Sequence, residues 1–293
     1  MRINEGTEGD SKRFPRHGGG LRSNRTQTFT WNVYNDVATQ GTTLTETTTV
    51  PLTNFTITQG TGTVTELANA VPYTGMLDNL SKHPVQEIIN KVLKNDAKKA
   101  IDLQAFNQFN STLLRVAPSG GTNTAVITLT TNGTSSTTNN AYLGKNLVKA
   151  IVDVMKERNI PAYMGDEYFA IAHPTTWRGM KNDLESVYQY RDEGFQMIYN
   201  GEIGKYEGTR FIEQNNVTKT QFGTFTANSM SNGAFFFGED TVAEALVVPE
   251  EIRGQIPADF GRAKGIAWYY LGGFALVQTQ AQQSRIVKWD SAA

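Results

Sequence analysis

The chain predicts an α+β fold on three observations: threonine-rich segments of period two near the start, one long segment with three-to-four spacing, and a later alternation of short helical and strand patterns. At 293 residues it lies near the upper size for one continuous core, so one large domain or two interleaved lobes is expected. Its 27 basic and 28 acidic residues nearly cancel. No global field therefore favours nucleic acid, an acidic substrate or an anionic membrane, and near-neutrality leaves self-association unopposed. Cysteine is absent, which removes disulfides, thiolate chemistry and cysteine-ligated metal sites and makes a cytoplasmic setting the simplest reading.

Residues 1–25 mix Glu5, Glu8 and Asp10 with Lys12, Arg13, Arg16, Arg22 and Arg25 around the triplet Gly18, Gly19, Gly20. They hold too little apolar area to order alone, so they read as an N-terminal arm that is either a loose terminus or ordered by a neighbouring subunit. The first twenty residues lack the apolar stretch of a signal peptide or anchor. From Thr26 to Glu66 polar residues alternate with Phe29, Trp31 and Val33, and later with Phe55 and Ile57, while Gly41 to Pro51 supplies turn chemistry. This predicts a long hairpin that has little core of its own and must lie on something else.

The period then changes. Val85, Ile88, Ile89, Val92, Leu93, Ala97, Ala100, Ile101 and Phe106 mark one amphipathic helix over 84–109, with Pro84 in its first turn. At ~1.5 Å per residue it spans close to 40 Å, long enough to act as a spine. The tract 119–140 is rich in Gly, Thr, Asn and Ser around a short strand at Ala125 to Leu129. A helix capped by Asn139 or Asn140 is expected to run to about Arg158, with Leu143, Leu147, Ile151 and Met155 on one face. Tyr168 to Ala172 reads as a strand, Pro174 as the opening of a helix carrying Trp177, Met180 and Leu184, and 195–213 as a glycine-punctuated segment ending in a strand. Ala234 to Gly238 and Ala243 to Val248 read as further strands, Ile266 to Val277 as a buried strand pair, and Arg285 to Trp289 as a last alternating strand. The run 266–277 is also far below the ~20 residues of a membrane helix.

Chemistry is sparse. His17, His83 and His173 sit in an arm, at a helix start and before Pro174, with no spacing that converges on a metal. The pairs Asp166/Glu167, Glu239/Asp240 and Glu250/Glu251 resemble solvated turn residues more than acid–base catalysts, because successive side chains usually point apart. Gly60 and Gly62 lack the third glycine of a dinucleotide fingerprint, and no glycine loop ends in Lys-Ser or Lys-Thr. No cofactor and no metal are expected. The basic residues of the arm can meet phosphates only weakly and without sequence preference.

One stretch is specific: Tyr199, Asn200, Gly201, Glu202, Ile203, Gly204, then Glu207, Gly208, Thr209, Arg210, Phe211, Ile212 and Glu213. With Phe14-Pro15-Arg16-His17 before the hairpin, the Leu44-Thr45-Glu46 turn, Ile171-Ala172-His173-Pro174 before a helix and the aromatic strand at Trp268 to Leu271, it resembles the podophage-type major capsid proteins. Their shell fold, Hong Kong 97-like, is shared by tailed bacteriophages and herpesviruses. The resemblance implies an arm (1–25), an extended loop (26–66), a peripheral domain with the spine helix (67–139), an axial domain (140–265) and strands returning to the peripheral domain (266–293).

It further implies a structural protein of the virion capsid rather than an enzyme, assembled in the host cytoplasm. Its partners would be copies of itself in hexamers and pentamers, packaged double-stranded DNA without sequence preference, and scaffold, portal or cement proteins, but no membrane. Phe14, Trp31, Tyr34, Leu44, Glu46 and Phe55 are the expected intersubunit contacts, with packing inside this chain as the alternative. Some members of the fold join a loop lysine to an asparagine of the next subunit, and residues 26–66 contain no lysine. Two rival readings stand beside this one: a tail adhesin or carbohydrate-binding β module, which would not require the spine helix, and a hydrolase built on Asp166 or Glu239.

Overall fold

The structure is a computed structural model and describes residues 27–34, 41–47, 49–50, 52–55, 57–134, 141–188, 204–217, 231–256 and 259–292. In chain order its elements are β1 (Thr28–Tyr34), β2 (Ile57–Thr63), β3 (Thr65–Thr74), α1 (Gly75–Leu80), α2 (Val85–Asn110), β4 (Leu114–Pro118) and β5 (Ile127–Thr130). There follow α3 (Lys145–Glu157), β6 (Tyr168–Ala172), α4 (Arg178–Tyr188), β7 (Lys205–Tyr206), β8 (Thr209–Glu213), β9 (Ser231–Phe237), β10 (Val242–Gly254), β11 (Ala263–Leu276) and β12 (Ile286–Ala292). They fall into two compact units, the first mainly Thr61–Ala105 and Glu244–Phe274, the second Thr30–Gly60, Phe106–Ala243 and Ala275–Ala293.

The first unit is a three-stranded sheet, β10-β11-β3, with the spine helix α2 against it. Ile89, Leu93 and Ala97 recur every fourth residue of α2 and meet Trp268 and Tyr270, which share one face of β11 because they are two residues apart. Asp96 fixes that packing: its carboxylate accepts from Trp268 Nε1 and from Asn69 Nδ2, each at 2.8 Å. These two donors, Asn69 foremost, hold its pKa below the ordinary carboxylate value. The expected strand pair at 266–277 is instead a single 14-residue strand. The glycines make room rather than a break: a Cβ on Gly273 would lie 2.1 Å from the Thr63 carbonyl oxygen, and one on Gly272 would lie 2.8 Å from that of Ala245.

The second unit carries a seven-stranded sheet in the order β5-β4-β12-β9-β6-β8-β7. The closing strand β12 pairs parallel with β4 (Val287↔Leu114) and antiparallel with β9 (Val287↔Phe236), so within 266–293 it is β11 that joins the spine-helix sheet and β12 that does not. On one side α3 buries Leu147, Val148, Ile151, Val152 and Met155. Its start differs from the expected cap: Asn139 and Asn140 lie outside the described residues, and the helix begins at Lys145, whose N–H is taken by the distant Asp183 carboxylate at 3.0 Å. The next helix begins at Arg178 rather than Pro174, because His173 first organises a turn: its carbonyl accepts from Thr176 N and its Nδ1 from Thr175 N. Trp177, Met180 and Leu184 are buried as their spacing predicts. On the other side Phe106 and Phe109, in the last turns of α2, meet Phe235 and Phe237 edge to face.

Candidate functional site

The extended hairpin is the candidate site. Strands β1 and β2 form a two-stranded sheet of their own, and β1 alternates exposed and half-buried side chains as period two requires. Its root is held at Trp31, whose indole Nε1 donates to the Val277 carbonyl at 3.1 Å while the ring covers Gly60 closely enough that any Cβ there would clash. Beyond that anchor many of the described apolar side chains are exposed. Tyr34 is 70% exposed and Phe55 59%, and Leu44, Val50, Leu52 and Ile57 are exposed as well, with Glu46 on the surface among them. Burying one such side chain is worth ~1.5–3 kcal/mol, so this surface has a strong incentive to be covered. Of the expected contact residues, Trp31 thus packs within the chain, Tyr34, Leu44, Glu46 and Phe55 are available, and Phe14 lies outside the described residues.

The motif after Tyr199 has a structural role where it is described. Glu207 (φ 48) and Gly208 (φ 69) are both left-handed, the combination that a two-residue hairpin between β7 and β8 requires. Arg210 and Lys205 both donate to Glu167, whose pKa they lower, Lys205 foremost. Phe211 meets Trp177 edge to face at 5.0 Å, and Gly204 is left-handed at φ 66. Asn200, Gly201, Glu202 and Ile203 lie outside the described residues.

The acidic pairs hold the surface together. Glu167 serves the two cations just named, Asp240 pairs with Arg285 at 3.2 Å, and Glu251 pairs with Arg253 at 2.6 Å. Among the described residues no group of three or more His, Asp or Glu could hold a metal, and no helix is long and apolar enough to cross a membrane.

A charged cluster inside the second unit was missed by sequence reasoning. Lys288 and Asp290 sit on the face of β12 opposite Val287 and Trp289 and are 0% and 2% exposed. Lys288 Nζ donates to Asn110 Oδ1 at 2.7 Å, and Arg115 Nη1 pairs with Asp290 at 3.3 Å. The only signal in the sequence was the alternation in Ile286 to Asp290, which an exposed strand displays equally well.

The family model for phage capsid proteins matches residues 76–283, from α1 through the spine helix to the approach of β12. The chain belongs to this phage capsid protein family. Solved shells have the same fold. The capsid of Ralstonia phage GP4 superposes with a TM-score of 0.65 at 13% identity over 91% of this chain and 84% of that one. The acid-stable capsid of Helicobacter pylori bacteriophage KHP30 gives 0.65 at 12% over 91% and 85%. The capsid of cyanophage Pam1 gives 0.64 at 14% over 92% and 85%. No curated protein matches by sequence. The fold is therefore the Hong Kong 97-like capsid fold, and the chain is a structural major capsid protein. The tail-adhesin alternative has no support.

Proposed function

We propose that copies of this chain assemble into hexamers and pentamers of an icosahedral shell around double-stranded DNA, acting on no substrate of their own. The observation that carries the reading is the coreless, apolar hairpin on a chain of the phage capsid family. On this reading the spine-helix unit is the peripheral domain, the seven-stranded unit is the axial domain, and the hairpin lies across a neighbouring copy. Tyr34, Leu44, Glu46 and Phe55 are its contacts, Trp31 fixes its root, and Phe14 and the arm add to the neighbour. The same two surfaces meet around every ring, a head-to-tail contact that closes without covalent chemistry. A near-neutral surface leaves packaged DNA neither gripped nor strongly repelled. Scaffold, portal and cement proteins complete the set of partners, and assembly takes place in the host cytoplasm.

The test is light scattering after size exclusion, with negative-stain microscopy of the large fraction. The wild type is expected to give rings or shells, and Phe55→Asp to give a folded monomer with an unchanged circular dichroism spectrum. Normal shells from a chain carrying both Phe55→Asp and Tyr34→Asp would overturn the role given to the hairpin.

A further inference from the structure

The last residue of α2 and the facing side of β12 bring an amine, a carboxamide and a carboxylate together. Lys288 Nζ lies 2.7 Å from Asn110 Oδ1 and 3.4 Å from Asp290 Oδ1. The ring of Phe235 lies beside the amine, 5.8 Å away at its centroid. Arg115 completes the group: its Nη1 pairs with Asp290 Oδ2 and its Nη2 donates to the main-chain carbonyl of Asn110, both at 3.3 Å. The plain reading is a buried ion pair that ties the helix end to the sheet. That reading leaves a charged amine with no access to water, and the environment acts against the charge. Burial, the largest cause, lowers the Lys288 pKa to about 7, with Arg115 lowering it further and Asp290 opposing. Near neutral pH a substantial fraction of Lys288 is therefore the free amine, which is a nucleophile.

A nucleophile held against an acyl group in a dry, fixed site reacts with an effective concentration far beyond that in solution. We propose that Lys288 and Asn110 become joined within one chain by an isopeptide bond that the folded protein forms by itself. The Asn110 amide turns about its Cβ–Cγ bond to present its face, and the Lys288 lone pair attacks Cγ, leaving Oδ1 as an oxyanion. Asp290 takes a proton from the new ammonium nitrogen and passes it to the carboxamide nitrogen. The Cγ–Nδ2 bond breaks, ammonia leaves, and a Cγ–Nζ amide remains with Asp290 again a carboxylate. One C–N bond forms, one breaks, nothing is oxidised, and no co-reactant is needed.

The bond links residues 178 positions apart and ties the last residue of α2 to β12, an interior strand of the seven-stranded sheet. It lies within one subunit, far in sequence from the lysine-free hairpin, and it does not depend on how copies assemble.

The experiment is intact mass spectrometry of the folded full-length chain, followed by a protease digest. The expected result is a mass one ammonia below that of the sequence and a branched peptide joining the segments that hold Asn110 and Lys288. Because Asn132-Gly133, Asn200-Gly201 and Asn232-Gly233 can also lose ammonia through succinimides, the branched peptide decides. Asn110→Ala and Lys288→Arg should lose that peptide. In Asp290→Asn it should form at least tenfold more slowly, and formation at the wild-type rate would remove Asp290 from the mechanism. Recovery of only linear, unmodified Asn110 and Lys288 peptides from folded wild type held at pH 8, or hydrolysis of the Asn110 carboxamide to a free acid, would overturn the proposal.

Discussion

The two sheets of this protein differ in how far each completes itself. In the second unit the main core gathers nineteen buried residues among those described, including Trp177, Phe236 and Trp289, on one side of the sheet. Among the described residues the core cluster of the spine-helix unit has five, Ile89, Leu93, Ala97, Trp268 and Tyr270, while Met76, Leu80, Leu246, Val247 and Phe260 lie in the open. The contrast teaches that burial is uneven: the seven-stranded sheet carries the larger core, whereas the three-stranded sheet, like the hairpin of the second unit, leaves large apolar side chains exposed.

The contrast is broken most directly by truncating the larger core. Trp289→Ala is expected to cost about 3–5 kcal/mol, read as a lower denaturation midpoint of the unassembled chain. An unchanged midpoint would mean that the seven-stranded sheet is not the stabilising one. The next effect is one of pH, measured in Asn110→Ala so that the Lys288 amine stays free. The folded pKa is about 7 and the unfolded one 10.5, so between these values the unfolded chain binds the extra proton. Stability should therefore rise as pH climbs from about 7 towards 10.5, and level off below 7 where both states are protonated. Adding Lys288→Met should flatten that rise, and a slope unchanged by it would assign the titration to another group.

Within the spine-helix unit the expected losses are smaller. Asp96→Asn should cost about 1 kcal/mol at neutral pH, since its two hydrogen bonds lie in a partly solvated place. Because its folded pKa is lowered, that contribution is present above the unfolded value of 3.8 and is lost as pH falls through the folded one. Thermal melts of wild type and variant should accordingly converge as pH falls below 3.8. Smallest is Val247→Ser, expected to move the monomer by no more than ~0.5 kcal/mol. If that monomer unfolds several degrees early, β10 is not the open surface described here.

Elements whose period is set by one buried face were legible in the sequence. The spine helix was expected over 84–109 and runs Val85–Asn110, because Ile89, Leu93 and Ala97 repeat with the helical turn. The face Leu147, Ile151, Met155 and the strand Tyr168–Ala172 were legible for the same reason. What depends on a distant partner was not. Asp183 caps α3 from 38 residues away, and nothing around Lys145 announces it. Gly272 and Gly273 look like a chain reversal until Thr63 and Ala245 are seen pressed against them. Lys288 and Asp290 look solvated because the sequence does not say that the far face of β12 is roofed by aromatic rings. Of the expected contacts, the exposure of Tyr34, Leu44 and Phe55 follows from a hairpin without a core, whereas the inward turn of Trp31 depends on Val277 and Gly60.

The place of β12 has a kinetic consequence. It separates β5-β4 from β9-β6-β8-β7, so until it arrives the sheet is two fragments flanking a slot one strand wide. Each side of that slot is a raw edge of unpaired N–H and C=O groups, with Leu114 and Val116 on β4 and Phe235, Phe236 and Phe237 on β9, and is able to template pairing with another molecule. Since the strands that fill and line the slot are far apart along the chain, closure is slow relative to the helices. The yield of usable subunits is then set by a race between insertion of a chain's own β12 and capture of the open edge by a stranger, so conditions that hasten closure should raise yield even where they leave equilibrium stability unchanged.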